Sequence, residues 1–266
     1  MPTSITVADS KWLGLSAASC RVDRLIRGLK NTVHPVNQAY CGVGQSGGAV
    51  QLAYTVAHHG ADTVWDSLVL TSGPTIVDEV FGCSENSPCD QTQSDDEGCF
   101  DEGPECLVDQ AYGNPHPDCK AEDDDDDETT PPIIVGSVGP CEEDPLPTTP
   151  DWIAKAEMDS LVTVPLVDGD YDYPFAVHFI YGELDRGEAP PQGMKYRRTL
   201  LDVDTGGTTC QSLLGVKHGV PWGLDDDTTG PATVLKRVQD YCVLPHPAAD
   251  PADEDLDCEF DHNEVP

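Results

Sequence analysis

Residues 84–150 hold twenty acidic side chains and a single basic one, Lys120, with almost no periodic apolar pattern running through them. A stretch this polar cannot bury enough apolar surface to offset the entropy of ordering it. A globular body must therefore be assembled from the flanking segments, residues 1–83 and 151–245. Residues 246–266, acidic and proline-rich, read as a tail. The acidic stretch also carries Cys89, Cys99, Cys106, Cys119 and Cys141, with Cys83 at its threshold. Cross-links can fix a segment that has no core, so a disulfide-rich, loop-like insertion is expected over 84–150.

The flanking segments alternate short apolar runs with amphipathic helical stretches, the pattern of a parallel sheet covered by helices. The fold class is α/β with a mostly parallel sheet. Strands are predicted over 4–8, 38–43, 67–71, 175–181 and 211–216, and helices over 20–30, 47–59, 152–161, 193–200 and 231–243. No internal repeat is visible.

Composition narrows the partners. The chain has 49 Asp and Glu against 14 Lys and Arg, a formal charge of −35. Such a surface repels phosphate backbones and anionic headgroups, so neither nucleic acid nor membrane is expected as a partner. No apolar run approaches the roughly 18 residues of a spanning helix. At 266 residues a sizeable core is possible and nothing forces an oligomer, so a monomer is expected. Eleven cysteines without one CxxC spacing favour disulfides over zinc, and so an oxidising, extracellular setting. The first residues, Met1 to Thr6, lack the basic end and apolar stretch of a signal peptide.

The sharpest local signal is Gly44-Gln45-Ser46-Gly47-Gly48. A nucleophile on a tight strand-to-helix turn needs small residues two positions either side. Composition alone gives about 0.1 such pentapeptides in a chain like this. The context matches: Ala39 to Val43 reads as a short strand before the turn, and Ala49 to Ala57 as a buried helix after it.

A serine hydroxyl is a weak nucleophile unless a histidine takes its proton, and the histidine needs a carboxylate to hold its tautomer. The strand-like run Phe175 to Tyr181 leads into Gly182-Glu183-Leu184-Asp185, which puts Asp185 at a strand's C-terminal end, the edge where open parallel sheets bind ligands. About thirty residues on, the run Gln211 to Lys217 leads into His218-Gly219. Glu183, Asp168 and Asp170 are rivals to Asp185 for the acid. His178 reads as a core residue inside an apolar strand. His58 and His59 read as helix-end residues that favour the last carbonyls, and the remaining histidines lie in loops. There is no HExxH pairing, so no metal is expected at the site.

With these residues in order, the chain resembles the α/β-hydrolases, whose triad runs nucleophile, acid, histidine. The match falls on Ser46, Asp185 and His218, with Ser67 to Pro74 similar to the strand after the nucleophile helix and the acidic insertion lying where the family carries its lid. The resemblance covers the core and not the insertion. It implies a secreted serine hydrolase cleaving carboxylic esters, small-molecule or polymeric, without a cofactor. Gly47 would supply a backbone oxyanion donor, and Trp222 would wall the substrate pocket. Only 45 residues precede Ser46, so the resemblance implies a front that is short of the family's early strands and of its first oxyanion-hole loop. The other readings are a peptidase or amidase of the same fold, and a non-catalytic binding protein that takes calcium through the acidic insertion.

Overall fold

The computed structural model describes residues 14–79, 150–162, 173–185, 189–201, 207–222 and 229–242. The strand expected over 4–8, the acidic insertion, Asp168, Asp170 and the tail lie outside the described residues. Along the chain run α1 (Gly14–Thr32), β1 (Cys41–Gln45), α2 (Gly47–His59), β2 (Ser67–Thr71), α3 (Pro150–Asp159), β3 (Ala176–Gly182), α4 (Ala189–Leu201), β4 (Thr208–Leu213) and α5 (Thr229–Tyr241). The four strands form one sheet in the order β1-β2-β3-β4, and every pair is parallel. The arrangement is α/β.

Both faces of the sheet are covered, which explains why β2 and β3 read as unbroken apolar runs. Side chains alternate between faces. Leu68, Leu70, Val177, Phe179 and Tyr181 enter the larger core with residues of α1, α2 and α4. Val69 and Ile180 enter a smaller one with Leu213, Val216, Val220 and Val234. His178 points to that second face, where it is fully buried. Its Nδ1 lies 2.7 Å from the Thr209 hydroxyl, and its ring centroid lies 4.0 Å from that of Tyr241.

Element boundaries depart from the sequence reading where side chains distant in sequence intervene. α1 begins at Gly14, six residues before the predicted start, because the Asp159 carboxylate caps it: the amides of Leu15 and Ser16 donate to it at 2.6 and 2.9 Å. α4 begins at Ala189 and takes its two prolines into the first turn, where a missing N–H costs nothing. β4 spans 208–213 instead of 211–216 because the chain turns at Leu214. The Val216 amide donates back to the Leu213 carbonyl at 3.2 Å, Gly215 has φ 72°, and Leu214 is exposed. His59 does not serve its own helix end either. Its Nε2 lies 2.6 Å from the Ser16 carbonyl and 3.0 Å from the Ser19 hydroxyl, tying α2 to α1.

One disulfide lies among the described residues. It joins Cys41, the first residue of β1, to Cys242, just past α5, with Cα atoms 6.0 Å apart and 201 positions of sequence between them. No helix among the described residues is long and apolar enough to cross a membrane.

Candidate active site

Because all four strands are parallel, the turns that follow them share one rim of the sheet. That rim carries Ser46 after β1, Asp185 after β3 and His218 after β4.

Ser46 stands between Gln45, the last residue of β1, and Gly47, the first of α2. Its backbone has φ 51° and ψ −120°, a left-handed conformation uncommon for a residue with a side chain. Two hydrogen bonds hold it there. The Ser46 amide donates to the Thr71 carbonyl at 2.9 Å, and the Ser46 carbonyl accepts the Val50 amide at 3.1 Å. Gly44 makes the turn possible, since a Cβ there would lie 2.8 Å from backbone atoms of Gly48 and Ala49. Ser46 occupies the N-cap position of α2, yet its side chain makes no capping hydrogen bond. The hydroxyl is therefore not spent on the helix.

Asp185 is buried, at 2% exposure, and His218 is half-buried. His218 Nδ1 and Asp185 Oδ2 are 3.1 Å apart. An ionised carboxylate can only accept, so Nδ1–H is the donor and Nε2 is left as the basic nitrogen. The two loops that carry this pair are laced together. The amides of Glu183 and Leu184 donate to the carbonyls of Leu213 and Val216 at 2.9 and 3.0 Å, and the Asp185 amide donates to the Gly182 carbonyl at 3.1 Å. Gly182 lets them cross, because a Cβ there would fall on the carbonyl oxygens of Val216 and Lys217.

The rival acid has a different task. The Glu183 carboxylate accepts the Gly215 amide at 3.0 Å on the exposed side of the loop, while Asp185 faces the histidine. Tyr181, in the strand that leads to Asp185, donates its phenol to the Gly73 carbonyl at 3.1 Å. Burial, reinforced by the Asp185 charge, pushes that phenol well above its usual range, so it stays a neutral donor.

Two features had no signal in the sequence. The first is Gln45, one of the two positions that the pentapeptide pattern leaves open. Its Nε2 donates to the His218 carbonyl at 2.6 Å, which places the histidine loop against the residue next to Ser46. The second is Asp159, which reaches α1 across 144 positions. Gly47 is exposed at the start of α2, where the first amides of a helix have no intrahelical acceptor. Trp222 lies in a single helical turn, Val220–Trp222, four positions beyond His218, and its side chain is outside the described residues. Among the described residues no group of three or more His, Cys, Asp or Glu side chains could hold a metal ion.

No protein-family profile matches the chain, and no curated protein matches it.

Proposed function

We propose that the protein is a serine hydrolase of the α/β-hydrolase type that cleaves carboxylic esters with Ser46, His218 and Asp185. The observation that carries the reading is one of placement. A serine held at positive φ between strand and helix adjoins Gln45, which is bonded to His218, and His218 is paired with a buried aspartate.

In this mechanism His218 Nε2 takes the Ser46 hydroxyl proton as Oγ bonds to the ester carbonyl carbon, and the carbonyl oxygen becomes an oxyanion. The Gly47 amide, aided by the positive end of α2, donates to that oxyanion. The intermediate collapses, the C–O bond to the alcohol breaks, and His218 returns the proton to the leaving oxygen. Water then bonds to the acyl carbon as the same imidazole takes its proton, the bond from that carbon to Ser46 Oγ breaks, and His218 returns the proton to Oγ as the acid leaves. Asp185 fixes the tautomer and stabilises the imidazolium without taking the proton. The Cys41–Cys242 disulfide supports an oxidising compartment as the working environment.

A fluorophosphonate probe tests this directly. Stoichiometric labelling of the full chain, lost in Ser46→Ala, is the expected result. A chain that takes no label, or that labels equally in Ser46→Ala, is not a serine hydrolase acting through this residue.

A further inference from the structure

We infer that Gln45 is a positioning residue that holds the backbone of His218 in place relative to Ser46, a role that rests on the serine-hydrolase reading. The carboxamide bridges two fixed points. One end lies 2.6 Å from the His218 carbonyl oxygen, which can only accept, so the atom facing it must be the amide nitrogen. The other end, the amide oxygen, then faces the Thr71 hydroxyl at 2.7 Å. Thr71 is fully buried and sits opposite Gln45 in the β1–β2 register. Its carbonyl also accepts the Ser46 amide. One threonine thus anchors both the nucleophile's backbone and the side chain that reaches the base.

The consequence for His218 is a two-point mount. Asp185 holds the ring through Nδ1, which fixes tautomer and tilt and refers the imidazole to the loop after β3. The His218 carbonyl accepts the Val220 amide at 3.0 Å within that loop, and the Gln45 amide from the opposite side of the rim. The second contact refers the imidazole to the elbow itself. Displacements of about 1 Å between nucleophile and base cost on the order of 10²-fold in rate, so a bond that sets this spacing acts on kcat and not on substrate affinity.

Two near-isosteric substitutions isolate the donor. Gln45→Glu keeps shape and the acceptor for Thr71 but sets an oxygen against the His218 carbonyl. Gln45→Met keeps length and removes both polar ends. Thr71→Val acts on the same carboxamide from its far end. With p-nitrophenyl butyrate as substrate, kcat is expected to fall roughly 10- to 100-fold in both Gln45 variants and by less in Thr71→Val, with KM within about twofold. The Nδ1–H proton resonance of His218 is expected to shift in both Gln45 variants while the melting temperature stays within a few degrees. An unmoved resonance in both Gln45 variants overturns the proposal, as does a rate loss that only tracks lost stability. If the wild-type chain takes no fluorophosphonate label, the hydrolase reading fails, and the resonance still decides whether Gln45 holds His218.

Discussion

The two sides of the rim are built by different means. At the elbow, backbone sterics set the position of Ser46: a positive φ, two main-chain hydrogen bonds and a glycine at 44 against which α2 closes. On the other side, the Asp185 and His218 loops are placed by hydrogen bonds that span about thirty positions of sequence, and the imidazole is oriented by a side chain. A site of this kind joins an element set mainly by a five-residue turn to one set by side chains and loops distant in sequence. Changes to the main chain and glycines of the first side should act as folding defects, and changes to the side chains that hold the imidazole, Asp185 and Gln45, as rate defects.

The largest effect is expected on the second side. Asp185→Asn keeps size but reverses the hydrogen-bonding preference at Nδ1, favouring the tautomer in which Nε2 carries the proton and cannot accept one. Loss of about 10⁴-fold in kcat is expected, with little change in melting temperature. Glu183→Gln, two positions away, can still accept the Gly215 amide and should stay within about threefold of wild type. Equal losses in the two variants would erase the distinction between the carboxylates.

The legibility of the molecule follows the same division. β2 coincides with its predicted span, and α2 does too, because each has a strong local pattern: five buried residues in a row for β2, and a buried apolar run bounded by glycines for α2. The strand-to-helix turn at Ser46 is legible in its neighbours, and the strand-end positions of Asp185 and His218 in the apolar runs that precede them. Contacts that depend on approach in space left no trace in the sequence. Asp159 extends α1 backward by a turn and a half, Gln45 occupies a position that any side chain could fill, and the turn at Leu214 to Val216 hides inside an apolar run that reads as strand. Pairing among eleven cysteines is equally silent, and Cys41–Cys242 joins residues on opposite sides of the acidic insertion.

That disulfide links the two sides of the comparison covalently, at the edge of the sheet opposite the site. Closing a loop of about 200 residues restricts the unfolded chain strongly, and about 5 kcal/mol of stability is expected to go with it. The double variant Cys41→Ser/Cys242→Ser should melt roughly 10 °C lower. Because the bond touches neither the elbow nor the Asp185–His218 pair, the folded variant should take fluorophosphonate at a rate within about twofold of wild type. A variant that melts normally would show that the unfolded chain is not what the bond constrains. One that folds but labels slowly would tie the site to the far edge of the sheet.

The smallest effect sharpens the first side. Gly44 and Gly48, the outer glycines of the pentapeptide, look equivalent in sequence, and the structure separates them. A Cβ on Gly44 would lie 2.8 Å from main-chain atoms of Gly48 and Ala49, so Gly44→Ala must push α2 away from β1. Overpacking of this kind costs about 1–3 kcal/mol, and the backbone that moves is the one that carries Ser46. A Cβ on Gly48 meets no described atom within 4 Å. Gly48→Ala, at an exposed first-turn position of α2, should gain a few tenths of a kcal/mol from helix propensity. Chemical denaturation with parallel fluorophosphonate labelling checks both. Gly44→Ala is expected to lose stability and label together, and Gly48→Ala neither. A labelling loss in Gly48→Ala without a stability loss would place Gly48 beside the substrate, where a methyl group obstructs the acyl chain and leaves the turn intact.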